Sequence, residues 1–95
     1  LLDEPTAGLD LGGRERLVGD LAALAADPDA PPVVLVTHHL EEVPAAFTHA
    51  LLLRAGKVTA AGPIDEVLVD DAVGECFGLA VEVRRDSGRF GVRAR

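Results

Sequence analysis

Val33-Val34-Leu35-Val36 is an unbroken apolar run, and three of its four residues are β-branched. Such a run lacks the polar–apolar alternation of a half-solvated strand. It reads as a strand covered on both faces, the situation of strands in parallel sheets under helices. Leu1-Leu2 reads as the last step of another buried strand. Between them, Leu17, Val18, Leu21, Leu24 and Ala25 recur at three- and four-residue spacing within 11–26, with Arg14, Arg16 and Asp20 off that stripe. That is one face of an amphipathic helix. Asp10 stands where its side chain can accept from the first free amides, and Asp27-Pro28-Asp29-Ala30-Pro31-Pro32 breaks the helix into a loop. A short helix is predicted from Leu40 to Phe47, limited by Pro44. Ala50-Leu51-Leu52-Leu53 is a third strand, turned by Arg54-Ala55-Gly56-Lys57 into Val58-Thr59-Ala60. Strand, helix, strand, helix, strand predicts an α/β fold with a largely parallel sheet and crossover helices.

The remaining chain reads as helices and a hairpin. Gly62-Pro63-Ile64-Asp65-Glu66 begins a helix, since proline is tolerated in a first turn and acids favour its positive end. A further helix is predicted over Asp71 to Phe77. Leu79 to Arg84 and Arg89 to Arg93 alternate as a two-stranded hairpin turned at Asp86-Ser87-Gly88.

Chemistry in parallel sheets collects at the carboxyl ends of strands. Two polar clusters fall there: Asp3-Glu4 after the first apolar run, and Thr37-His38 after the second. Adjacent acids at the end of a buried strand are unfavourable unless a cation or a reaction uses them. The bland alternatives are a turn cap with exposed acids, and a capping Thr37 beside two exposed loop histidines. His38 and Glu42, four apart, are a rival pair for a metal ion, but neither His-Glu-x-x-His nor its inverse is present.

The opening decamer, Leu1-Leu2-Asp3-Glu4-Pro5-Thr6-Ala7-Gly8-Leu9-Asp10, closely resembles the Walker B and D-loop segment of ABC-type ATPases, the ATP-hydrolysing subunits of ABC transporters. The Thr37-His38 pair resembles that family's switch histidine, with His39 where an Asp is common. Residues 50–58 and Ala61-Gly62-Pro63 are similar to the family's strand, turn and helix start. The resemblance covers 1–68, expected to be the C-terminal part of the ATPase core; 69–95 is expected to be a helix and hairpin extension. It implies the C-terminal part of a P-loop NTPase (RecA-like) parallel sheet. It further implies that Asp3 holds Mg²⁺ through water, that Glu4 is the general base or orients water, and that His38 contacts the γ-phosphate of ATP. Asp10 would lie at the interface with a second ATP-binding subunit in a head-to-tail dimer. Transmembrane permease subunits are the other implied partners, which places the protein in the cytoplasm at the inner face of the cell membrane. A non-enzymatic regulatory module and a soluble non-transport ABC ATPase are the alternatives. Ribosome-associated members usually carry Asn-His where this chain has Ala7-Gly8, and Glu4 with His38 argues against degeneracy.

Two glycine motifs are decoys. Leu11-Gly12-Gly13-Arg14 is similar to the family's signature but lies after the Walker B strand instead of before it. Lys57 follows Gly56 without the Gly-x-x-x-x-Gly-Lys-Ser/Thr spacing of a phosphate-cradling loop. The chain has no methionine and starts at Leu1 inside a strand, which gives the expectation of a fragment of a longer protein.

Charge is uneven. Net charge is −7, yet residues 84–95 carry five arginines against Asp86. The acidic body argues against nucleic acid as a partner, and the basic tail reads as the solvated face of the hairpin. A single cysteine, Cys76, excludes an intrachain disulfide.

Overall fold

The computed structural model describes residues 1–95. Its elements are β1 (Leu2–Asp3), α1 (Leu11–Ala26), β2 (Leu35–Val36), β3 (His49–Arg54), β4 (Lys57–Pro63), α2 (Ile64–Val67), α3 (Asp70–Phe77), β5 (Val81–Asp86) and β6 (Arg89–Ala94). They form an α/β structure with three two-stranded sheets: β1 with β2, β3 with β4, and β5 with β6. No helix is long and apolar enough to cross a membrane.

The chain divides into two compact units, Leu1–Phe47 with Arg85–Phe90, and Thr48–Arg84 with Gly91–Arg95. In the first, β1 and β2 pair in parallel, Leu2 opposite Leu35 and Asp3 opposite Val36. The Leu2 and Glu4 amides donate to the Val34 and Val36 carbonyls, both at 2.8 Å. Helix α1 crosses over between these strands, as the sequence order requires. Val18 and Leu21 on its inner stripe, with Leu40, Pro44 and Phe90, make this unit's core. Asp10 caps the helix, its carboxylate accepting from the Gly13 amide at 2.8 Å. A Cβ on Gly13 would lie 3.3 Å from that carboxylate oxygen, so glycine here makes room for the cap.

In the second unit Ile64, Val67, Leu68, Val73 and Val81 are buried. Here β3 and β4 are antiparallel, with a register shift between Leu52 and Leu53. The third strand thus departs from the expected largely parallel arrangement. Its cause is the connection: Ala55 and Gly56 both have positive φ, 51° and 76°. That is the signature of a two-residue hairpin turn, which joins only antiparallel neighbours. The second hairpin repeats the device with Ser87 and Gly88 at φ 51° and 80°. Its strands run to Asp86 and from Arg89, so the turn is one residue tighter than expected.

Four further expectations need correction. The predicted helix from Leu40 to Phe47 shrinks to one 3₁₀ turn, Leu40–Glu42. The following residue, Val43, is extended (ψ 116°) because Pro44 disfavours a helical conformation just before it. The strand at Val33–Val36 forms a ladder only over Leu35–Val36. Strand β4 continues through Pro63, and the next helix begins at Ile64. In α3, which starts one residue earlier than expected, Asp70 accepts from the Val83 amide at 2.7 Å. The Cys76 thiol donates to the Leu53 carbonyl at 3.2 Å.

Candidate functional site

The parallel pairing of β1 and β2 brings their two following loops together. Glu4, the first residue beyond β1, has φ 47°. A left-handed conformation costs a non-glycine residue about 1–2 kcal/mol, and such outliers gather at functional sites. The Glu4 amide stays tied to the Val36 carbonyl while its side chain leaves the ladder. Its Oε1 lies 3.3 Å from Nε2 of His38, two residues beyond β2. Both side chains are exposed, 45% for Glu4 and 74% for His38, so the pair opens to solvent and to any ligand above the strand ends. Asp3, the last residue of β1, is also exposed.

His39 takes a different direction. Its Nδ1 lies 3.6 Å from Glu41 Oε1, within the 3₁₀ turn and not at Glu4. Its backbone amide donates to Thr37 Oγ1 at 3.0 Å. Asp10 is the helix cap described above, at the far end of the Pro5–Leu9 turn, where Ala7 and Leu9 amides bond to Glu4 and Thr6 carbonyls.

The sequence offers Glu42 only as a rival metal partner of His38, and it does not single out Thr6. Glu42 and Thr6 are both buried, at 8% and 7% exposure. Thr37 Oγ1 donates to Glu42 Oε2 at 2.7 Å, and the Thr6 hydroxyl hydrogen-bonds to the same carboxylate. Burial alone would raise the Glu42 pKa, but the Thr6 and Thr37 hydroxyls, with the charges of His39 and Arg14, hold it below the ordinary value. Glu42 is therefore engaged by hydroxyls and His38 by Glu4, so the His38–Glu42 metal pair is not assembled.

Arg89, from the tip of the second hairpin, is the other group that the sequence left unassigned. Its Nη1 and Nη2 donate to the two Glu15 carboxylate oxygens at 2.9 and 3.0 Å, and Nη2 also donates to the Glu41 carbonyl. The fork drives the Glu15 pKa down from 4.5 to about 2, mainly through its hydrogen bonds. Arg85 stacks over the buried Phe90 ring at 4.7 Å, so part of the basic tail is anchored and not merely solvated.

No protein-family model matches the chain. Individual proteins do. The chain is 40% identical over 83 residues to the ABC transporter ATP-binding protein YlmA of Bacillus subtilis, a match covering 87% of this chain and 31% of that protein. To the ABC transporter ATP-binding protein YmeB of Lactococcus lactis it is 36% identical, covering 95% of this chain and 35% of that one. To the molybdenum import ATP-binding protein ModC of Aromatoleum aromaticum it is 44% identical over 68 residues, covering 72% and 18%. A solved structure described as an inward-facing metal-chelate-type ABC transporter superposes with a TM-score of 0.74 at 26% identity, over 97% of this chain and 37% of the other. The chain spans about a third of the length of the first curated relatives it matches. With the decamer, the parallel strand ends and the histidine all in one order, the chain belongs to the ABC transporter ATP-binding proteins.

Proposed function

We propose that these residues form the Walker B, D-loop and switch-histidine part of a subunit that hydrolyses MgATP and couples it to transport. One observation carries the reading: a solvent-open carboxylate, Glu4, stands 3.3 Å from the His38 imidazole at the carboxyl ends of two parallel strands. A carboxylate so placed can accept a proton from a water molecule, and the imidazole can donate toward a phosphate oxygen above it. The β1–β2 pair is then the C-terminal part of a P-loop NTPase sheet.

The chemistry of the donor set fits Mg²⁺. Asp3 offers exposed carboxylate oxygens at the strand end, and Mg²⁺ is usually held by one or two carboxylates with phosphate oxygens and retained waters. Asp3 would hold it through water, and the ion would neutralise charge developing on the phosphoryl group. Asp10 lies at the contact with a second ATP-binding subunit arranged head to tail. Permease subunits complete the assembly at the cytoplasmic face of the cell membrane.

The 95 residues contain no Gly-x-x-x-x-Gly-Lys-Ser/Thr stretch to cradle phosphates, so by themselves they do not turn over ATP. The test uses a complete subunit carrying this sequence. Glu4→Gln lowers steady-state turnover by roughly 10²–10⁴ while ATP binding persists. Asp3→Asn instead weakens Mg²⁺-dependent nucleotide binding. Full turnover in the Glu4→Gln subunit, or equal loss of nucleotide affinity in both variants, overturns these assignments.

A further inference from the structure

Glu42 is a buried acid that the proposed reaction does not use. Desolvating a carboxylate is costly, and a neutral side chain of similar size avoids that cost. What the acid provides is two-sided acceptance. One carboxylate receives Thr6, two residues beyond Glu4, and Thr37, immediately before His38. The direction of the Thr37 hydroxyl is fixed from both sides. Its oxygen accepts from the His39 amide at 3.0 Å, which leaves its proton for Glu42 at 2.7 Å. The loop after β1 and the loop after β2 thus share a single buried anchor, and Glu4 and His38 project from those same loops.

The geometry points to Glu42 as a positioning residue that sets the Glu4–His38 separation by binding both loops through one carboxylate. The inference rests on the ATPase reading above. It makes Glu42 dispensable for nucleotide affinity and important for turnover, because a catalytic pair displaced by about 1 Å can lose on the order of 10²-fold in rate. An amide is a poor substitute. Glu42→Gln keeps the volume but places an NH₂ where one of the two donating hydroxyls points.

The experiment measures kcat, ATP affinity and thermal stability in the complete subunit. Expected for Glu42→Gln is a fall in kcat of roughly 10- to 100-fold with ATP affinity kept. The hydroxyls supply a second arm that does not depend on that variant folding. Thr6→Val and Thr37→Val lower kcat in the same way, whereas Thr6→Ser and Thr37→Ser retain it, because only the hydroxyl is needed. Combining Thr37→Val with Glu42→Gln gives no further loss, since both break one link. Unchanged kcat in Glu42→Gln, parallel loss of ATP affinity, or serine variants as impaired as the valine ones overturns the positioning role. A parent subunit that does not hydrolyse ATP would instead sink the reading on which the inference stands.

Discussion

At the scale of single residues, the two adjacent histidines separate cleanly. His38 faces Glu4 at 3.3 Å, and His39 faces Glu41 at 3.6 Å within its own turn. If His38 contacts the charge developing on a transferred phosphoryl group, removing it takes away a preorganised polar group where such groups count most. In the complete subunit, His38→Ala is expected to abolish most ATP turnover and His39→Ala to change it little. Steady-state assays with Zn²⁺ chelated decide it, and a more damaging His39→Ala would shift the switch position by one residue. Strand ends and helix caps leave local marks in the chain, and the structure places Asp10 as the cap of α1 and Glu4 beside His38. Glu42 leaves no such mark. An acid in Leu40-Glu41-Glu42-Val43 looks like any charge in a solvated turn. Its burial comes from how the 3₁₀ turn packs against α1, and its partners are 36 and 5 residues away in the chain.

At the scale of elements, the second hairpin acts as more than a terminal extension. Its tip places Arg89 on Glu15 of α1 and on the Glu41 carbonyl of the 3₁₀ turn. Arg89 therefore links the helix that follows the Asp10 loop to the turn that follows His38. Glu15 has a folded-state pKa of about 2 against 4.5 unperturbed, chiefly because Arg89 donates to it. A depressed carboxylate pKa stabilises above the unfolded value and loses that contribution as pH falls through the folded one. The window is therefore from about 4.5 down to about 2. Exposed pairs contribute little at neutral pH, so the slope of stability with pH is the sensitive readout. Arg89→Met is expected to flatten the loss of stability across this window, and Glu15→Gln to do the same. Glu42 and Glu82 are also depressed and keep a residual slope in both variants. Urea midpoints measured through that range check it; an unchanged slope in Arg89→Met means that the fork does not hold in solution. The elements themselves were legible where a stop signal sits beside a clear period. Helix α1 begins and ends where Asp10 and Asp27-Pro28 predict. The Leu40–Phe47 helix is cut short because a proline outweighs a short apolar period. The turn over Arg54–Lys57 is legible in the sequence and gives the antiparallel β3–β4 pair, but the order of strands and helices alone does not show which sheet β3 joins.

At the scale of the whole chain, the apolar runs that read as doubly covered strands are only partly covered. Leu51, Leu53 and Val58 are each more than half exposed, and Val34 and Val36 are also open. Leu53 and Val58 stand opposite each other in the β3–β4 ladder, so their exposure is a shared patch. The pattern of an unbroken apolar strand was therefore correct about composition and incomplete about context. Such strands are built for neighbours on both faces, and the chain spans about a third of the relatives that carry the same segment. Under the proposed function, the rest of an ATP-binding subunit covers these faces. By itself, a chain with open apolar strand surfaces associates, because pairing removes that surface from water. Sedimentation of the 95-residue chain is expected to show apparent mass rising with concentration. Leu53→Lys with Val58→Lys puts two like charges on the patch and is expected to suppress the rise without unfolding the hairpin, whose backbone ladder needs neither side chain. The complete subunit should show no such association through this patch in the absence of nucleotide. A chain that stays monomeric at every concentration, or association indifferent to the two lysines, would mean that these strands need no cover and that the apolar faces have another explanation.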